Sequence, residues 1–269
     1  MNILSIGCGK MGSIIINNLL EQGILHKEIS IIEKSDDNKI SKLKYYKSCL
    51  ELPKSYQADV VFIAIKPQNS KEILTDLFVK SAVKFFHKNT IFISILAGKK
   101  ISFFEKIFGK NAKIIRSMPN LPIQDSQGIF TYLANKNIKN NEVKKLQKIF
   151  NNFGEVLKID DEKLFDVITA IFGSGPAYIF YLQEIFTEIA ISCKIDKNKA
   201  ANLVKTLFLG SALMSCNSKL DFSKLQESVT SKGGTTEAAL KTLKKDSALK
   251  TLFTKAIKEA TTRSKELSE

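Results

Sequence analysis

Gly7-Cys8-Gly9-Lys10-Met11-Gly12 follows the apolar run Ile3-Leu4-Ser5-Ile6 directly and opens a helical stretch, Ser13 to Gln22. The pattern is GxGxxG between a strand and a helix. The first glycine permits the tight turn, the second lets backbone approach a pyrophosphate, and the third lets helix and strand pack closely. A helix starting there presents free N–H groups to phosphates. On the first strand of the chain, in that context, the loop predicts dinucleotide binding rather than a plain glycine turn. The next strand ends Ile31-Ile32-Glu33-Lys34-Ser35, with Glu33 lying 21 residues past Gly12. An acidic residue at that distance suits the ribose 2′-hydroxyl of NAD. Lys34 and Ser35 instead suit the 2′-phosphate of NADP, so the two signals conflict. A charged strand end in solvent is the third reading.

Outward from the loop, strands are expected at Asn2 to Ile6, Ile29 to Glu33, Asp59 to Ile65, Thr90 to Leu96, Lys113 to Arg116, Gly128 to Leu133 and Glu155 to Ile159. Runs such as Val60-Val61-Phe62-Ile63-Ala64-Ile65 are apolar on both faces and belong in a sheet covered on both sides. Alternation with helical stretches predicts an α/β, Rossmann-like doubly wound N-terminal domain over residues 1–160. Asn135 to Lys145, polar and rich in Lys and Asn, reads as a surface loop leading into a helix. Beyond Asp160 only helical periodicity remains. Its stripes are Ile179, Leu182, Phe186, Ile189 and Ala190, then Ala200, Leu203, Val204, Leu207 and Phe208, then Leu249, Leu252, Phe253, Ala256 and Ala260. Residues 161–269 are therefore expected to form an all-α C-terminal domain. Such stripes must be buried. A bundle of about 110 residues is marginal alone, which predicts a homo-oligomer, at least a dimer, with helices 176–192 and 196–216 in the interface.

Composition narrows the function classes. The 269 residues are 44% apolar and 25% charged, a globular balance. The net charge is +14, but 39 of the 41 basic residues are lysine. Sites that read bases or phosphates favour the planar fork of arginine. The lysines are spread along the chain, so a solvated surface that attracts anionic ligands is expected, with no nucleic-acid partner. Cys8, Cys49, Cys193 and Cys216 form no CxxC pair and read as reduced cytoplasmic thiols. With only two histidines, His26 and His87, chemistry that needs a His dyad or a His-rich metal site is almost ruled out. No apolar run approaches the roughly 18 residues of a membrane span. The chain enters its first strand without a charged leader, so neither secretion nor a membrane partner is expected.

Four further segments stand out: Ile65-Lys66-Pro67-Gln68, Arg116-Ser117-Met118-Pro119-Asn120-Leu121-Pro122, Gly173-Ser174-Gly175-Pro176-Ala177-Tyr178, and Val229-Thr230-Ser231-Lys232-Gly233-Gly234-Thr235-Thr236. Each has a structural reading of its own. In the third, proline suits a first helical residue and Ser174 a cap near the N-terminus. In the fourth, threonines can cap a helix, or the helix start with its amides and hydroxyls can hold a carboxylate. Taken together and in this order, the segments resemble pyrroline-5-carboxylate reductase over essentially the full chain.

The resemblance implies reduction of 1-pyrroline-5-carboxylate, a cyclic imino acid, to proline, with NADPH favoured as cofactor and NAD possible. It implies Thr236 as the hydroxyl on the imine nitrogen. It implies Ser231, Gly234, Thr235 and Thr236 around the substrate carboxylate, with Glu162 and Asn120 as further substrate residues. Gly7, Cys8, Gly9, Lys10, Met11, Gly12, Lys34, Ser35, Ile65, Lys66, Pro67 and Ala97 would bind or border the cofactor. No metal is required, because an imine is basic enough to protonate readily. Glu162 also reads as a solvated charge, and Lys66 as a surface lysine at a strand end. Two departures bear on the implied site. Lys232 stands where the family usually has proline, removing a fixed φ, and Lys34 stands where many members carry arginine. The β-hydroxyacid dehydrogenases share the glycine loop and the helical second half, but the GGTT loop discriminates against them. A paralogue kept for binding or regulation is the reading from another class, and the intact glycine loop and Thr236 argue against it.

Overall fold

A computed structural model of the chain describes residues 1–35, 39–80 and 85–267. They fall into two compact units, Met1–Ser174 with the C-terminal residues from Ala260, and Gly175–Glu259.

The first unit is built on an eight-stranded sheet. Its strands are β1 (Ile3–Ile6), β2 (Ile29–Ile32), β3 (Lys44–Tyr46), β4 (Ala58–Ile63), β5 (Phe86–Ser94), β6 (Lys113–Pro119), β7 (Gly128–Ala134) and β8 (Gly154–Lys158). The order is β3-β2-β1-β4-β5-β6-β7-β8. The strands are parallel up to β6; β7 runs antiparallel to β6, and β8 parallel to β7. All seven expected strands form, and β3 is additional.

Alternation along the strands sends side chains to two separate cores. Ile3, Ile29, Ile31, Val60, Phe62, Ile91 and Ile93 face α1 (Lys10–Glu21) and a later helix, Asn140–Phe150. Leu4, Ile6, Ile32, Val61, Ile63 and Phe92 face α2 (Ser70–Thr75) and α3 (Ile101–Phe108). Burial on both faces explains why these strands read as continuous apolar runs. Strand order reverses direction at β1, which has β2 on one side and β4 on the other. That is the switch point at which open α/β sheets bind ligands.

The helix Asn140–Phe150, α4, does follow the polar segment from Asn135. Asn135 itself is buried, however, and departs from the surface-loop expectation. Its Oδ1 accepts the Ile114 N–H at 3.2 Å and its Nδ2 donates to the Ala112 carbonyl at 2.9 Å.

The first unit also runs past Asp160. Phe165 and Ile168, on the short helix α5 (Phe165–Ile168), pack with Ile159, Met118 and Leu133. Ser264 donates to buried Asp166 at 2.7 Å. These ties carry the compact unit to Ser174, beyond the boundary expected at residue 160. Ser174 ends the π-helical turn Thr169–Gly173, its N–H donating to the Thr169 carbonyl at 2.9 Å.

The second unit is helical: α6 (Gly175–Ser192), α7 (Lys197–Cys216), α8 (Phe222–Ser228), α9 (Thr235–Lys244) and the start of α10 (Ala248–Glu266). No residue of α6 is buried, and only Ala200 and Val204 of α7 are. Ile179, Phe180, Tyr181, Phe186 and Ile189 of α6, with Leu203, Leu207, Leu209 and Leu213 of α7, are all exposed. The stretch Glu162–Ser192, with a window of mean hydropathy 1.3, is long and apolar enough by length and composition to cross a membrane. The sequence expectation missed this because Thr, Ser and Gly break the run without making it polar on average.

Candidate active site

β1 ends at Ile6, and the chain turns at Gly7, with φ +93° and its N–H donating to the Ile32 carbonyl at 2.8 Å. A Cβ on Gly7 would lie 2.5 Å from the Ala64 carbonyl oxygen, so loop and β4 can approach this closely only with glycine there. Gly9 differs. Its backbone, φ −69° and ψ −168°, is one that any residue adopts, and a Cβ there would meet nothing within 4 Å. Gly9 is the N-cap of α1, which has no side-chain cap and no acidic residue in its first turn. The first amides of α1, at Lys10 and Met11, are thus left to an external acceptor at the positive end of the helix dipole. Open space at Gly9 and uncapped donors behind it fit a dinucleotide pyrophosphate.

Beside the loop lies a cleft of about 500 Å³, whose walls include Ile6, Gly7, Ile32, Glu33, Lys34, Lys47, Ser48 and Ile65. Lys47 donates to the Lys34 carbonyl at 2.9 Å, bringing a second lysine to the end of β2. The sequence reading missed Lys47 because it missed β3, which places it. Glu33 is half-buried; its Oε2 accepts the Cys8 N–H at 2.8 Å and its Oε1 accepts the Ser35 N–H at 3.0 Å. The Cys8 thiol is 3.8 Å from the Tyr45 hydroxyl. Burial pushes this thiol's pKa up, the Glu33 charge adds to the shift, and the Tyr45 hydrogen bond opposes it, so Cys8 stays a neutral thiol.

Ile65, Lys66 and Pro67 follow β4, and Ala97 follows β5, both at the carboxyl ends of the sheet. Ile65 is half-buried against the glycine turn, where its Cγ2 would be 2.9 Å from a Cβ on Gly7. Lys66 is exposed. Pro67 opens a 3₁₀ turn, Pro67–Asn69, closed by Ser70 donating to its carbonyl at 2.7 Å.

Two of the expected substrate residues are engaged within the chain. Asn120 donates to the Phe172 carbonyl at 3.1 Å and accepts the Ile129 N–H at 2.8 Å, so both ends of its amide are committed. Glu162 is not a freely solvated charge. Its Oε1 accepts from the buried Arg116 guanidinium at 3.0 Å and from the Ile101 N–H at 2.8 Å. Arg116 lies over the Phe165 ring, 4.2 Å from its centroid.

The other expected substrate residues lie in the second unit. Ser231 to Gly234 form a turn closed by the Gly234 N–H donating to the Ser231 carbonyl at 3.0 Å. Gly233, at φ +74°, supplies the positive φ needed at the third position of a type II turn. Lys232 occupies the second position, where proline would preset φ, and the turn forms without it. Gly234 is the N-cap of α9 with no side-chain bond, so threonine capping is not what this motif does here. Glu237 reaches back to accept the Gly233 N–H at 2.7 Å. The N–H groups of Thr235 and Thr236 open the helix, and the hydroxyls of both have no partner among the described residues. Thr236 is half-buried, and Ser231 and Thr235 are exposed.

Residues 2–98 match the family model described as NADP oxidoreductase coenzyme F420-dependent, and residues 162–267 match that for pyrroline-5-carboxylate reductase dimerisation. Glycine loop, flanking cleft and helical second unit define a dinucleotide-dependent oxidoreductase of the Rossmann type. A pyrroline-5-carboxylate reductase of Haemophilus influenzae is 34% identical over 241 residues, covering 88% of this chain and 87% of that protein. The solved structure of a pyrroline-5-carboxylate reductase from Coxiella burnetii superposes with a TM-score of 0.85 at 31% identity, covering 100% of this chain and 98% of that one. The Plasmodium falciparum pyrroline carboxylate reductase, crystallised with NADP bound, gives a TM-score of 0.87 at 28% identity, covering 100% and 98%. The chain belongs to the pyrroline-5-carboxylate reductase family.

Proposed function

We infer that this chain catalyses the reduction of 1-pyrroline-5-carboxylate to proline, the last step of proline biosynthesis, with NADPH as the favoured cofactor. The observation that carries the reading is the start of α9, where free amides and two unpartnered threonine hydroxyls stand together behind a glycine N-cap. The substrate offers that site a carboxylate and a ring imine. The amides at Thr235 and Thr236, with Ser231 and Gly234 forming the turn, hold the carboxylate. The Thr236 hydroxyl donates to the imine nitrogen, orients the C=N bond and supports its protonation. Glu162 commits one carboxylate oxygen inside the chain and keeps Oε2 for the substrate. Asn120, with its amide on the Phe172 carbonyl and the Ile129 N–H, acts through the segments those bonds hold.

The glycine loop Gly7 to Gly12 carries the pyrophosphate, Lys34 and Ser35 the 2′-phosphate, and Ile65, Lys66, Pro67 and Ala97 border the cofactor. NADPH, when bound, supplies the hydride. The exposed apolar faces of α6 and α7 are read as the subunit contact of at least a dimer, in preference to a membrane or nucleic-acid surface. Four free cysteines suit the reducing cytoplasm.

The test is steady-state oxidation of NADPH and NADH by the purified protein with pyrroline-5-carboxylate, repeated for three variants. Thr236→Ala is expected to lower kcat by about 10–100-fold, the low end for a positioned acid acting on an already basic imine. Thr236→Ser should keep much of the activity, and Thr235→Ala should raise KM more than it lowers kcat. Wild-type protein that oxidises neither cofactor with this substrate defeats the reading. Full kcat in Thr236→Ala removes the donor role.

A further inference from the structure

We propose that Glu33 is a positioning residue that holds the glycine loop in its nucleotide-receiving shape, and is not the acidic ligand of the cofactor ribose. Its sequence position invites the ribose role, since it ends β2 beyond the glycine loop. Its bonds point elsewhere. One carboxylate oxygen accepts the N–H of Cys8, the residue between the first two glycines, at 2.8 Å. The other accepts the Ser35 N–H at 3.0 Å, which fixes the carboxylate from the far side. Hydrogen bonds to an ionised acceptor are short and roughly twice as strong as neutral ones. The segment they restrain has glycine on either side of Cys8 and open space at Gly9, so it is a part of the loop with much conformational freedom to lose. Ordering it before the ligand arrives lowers the entropic cost of binding.

Cofactor choice changes accordingly. A ribose ligand favours NADH and opposes the 2′-phosphate, so its loss should cost NADH alone. A loop-positioning carboxylate serves the pyrophosphate that both cofactors share, so its loss should cost both equally.

The inference rests on dinucleotide binding by this loop, and its test has one arm that needs no cofactor. Calorimetric Kd values for NADPH and NADH are measured for wild type, Glu33→Ala and Glu33→Gln, together with amide hydrogen exchange at Cys8 in cofactor-free protein. Glu33→Ala is expected to weaken both nucleotides by about tenfold, leaving their ratio unchanged, and to speed Cys8 exchange by a similar factor. Glu33→Gln keeps the side-chain volume but only one acceptor oxygen, for the Cys8 or the Ser35 N–H and not for both, so it should recover only part of each effect. Loss of NADH affinity alone, with NADPH held or improved, would overturn the proposal, as would Cys8 exchange unchanged in Glu33→Ala. Wild-type protein that bound neither nucleotide would overturn the dinucleotide reading itself, while the exchange arm continues to decide what the carboxylate holds.

Discussion

Replacing Gly7 or Gly9 by alanine is the same chemical change made two residues apart, and the structure predicts different consequences: lost stability at one, lost nucleotide affinity at the other. At Gly7 the backbone has φ +93° and an added Cβ would stand 2.5 Å from the Ala64 carbonyl oxygen. A left-handed alanine costs about 1–2 kcal/mol, and relieving a clash with main chain in a packed region adds roughly 1–3 kcal/mol. Gly7→Ala should therefore destabilise the cofactor-free protein by about 2–5 kcal/mol. At Gly9 the backbone is extended and the added methyl meets nothing within 4 Å. Alanine there restricts the unfolded chain, worth about 0.4–1 kcal/mol, but it is a poorer N-cap than glycine by a similar amount, so Tm should be almost unchanged. The same methyl enters the open space assigned above to the cofactor pyrophosphate. An overpacking penalty of about 1–3 kcal/mol corresponds to roughly a 5–150-fold weaker Kd for NADPH. The assay is differential scanning calorimetry without cofactor, followed by NADPH titration of the folded variant. An unchanged Kd in Gly9→Ala, or a Tm loss matching that of Gly7→Ala, would refute this account of the loop.

Three other outcomes are expected. Arg116→Met leaves the Glu162 carboxylate without its guanidinium partner and removes the stack on Phe165. A cost of about 2–4 kcal/mol in urea unfolding is expected, since Arg116 is buried but Glu162 keeps some solvent; a loss below about 1 kcal/mol would class the pair with surface ion pairs. Tyr45, pushed up to about 12 mainly by burial, favours its neutral form in the folded protein. Its contribution is therefore complete below its ordinary pKa near 10 and is lost as pH rises from there through 12. Tyr45→Phe should flatten the fall in stability over that window, and an unchanged alkaline profile would count against it. Finally, Phe180→Glu combined with Leu207→Glu places charges on the exposed apolar faces of α6 and α7. Light scattering at micromolar concentration should show the oligomer shifted to monomer, and an unchanged mass would move the subunit contact elsewhere.

What the sequence disclosed is what a local window can hold. The glycine loop announces itself because strand, turn and helix start are contiguous, and the buried strands announce themselves because both faces are apolar. β3 escaped because it has only three residues, with Lys44 exposed and both tyrosines half-buried. The boundary expected near Asp160 rests on a change of periodicity, which is a local signal. The packing of Phe165 and Ile168 beneath Ile159 is not. The commitments of the polar residues are more distant still. Glu162 meets Arg116 across 46 positions of sequence, Asn120 meets Phe172 across 52, and Glu33 meets Cys8 across 25. Residue type and spacing name such groups as candidates, but their partners are known only once the chain has folded.

The two units differ in how far they are finished, and that difference bears on catalysis. The sheet unit buries its strands between two cores of its own. In the helical unit, α6 buries none of its side chains and α7 only two, leaving a row of large apolar residues in water. Apolar burial is the dominant favourable contribution to folding, so a unit with this little of it depends for its order on whatever covers those faces. The turn Ser231 to Gly234 and the start of α9 stand on that same unit. If α6 and α7 form the subunit contact proposed above, assembly helps to hold the amides and the Thr236 hydroxyl in place, although no residue of the turn lies on α6 or α7. Stability linked to association rises with protomer concentration. Dilution should then reach the proposed substrate site before it reaches the glycine loop, whose supporting strands are covered within one chain: KM for the imino acid should rise on dilution while the affinity for NADPH holds.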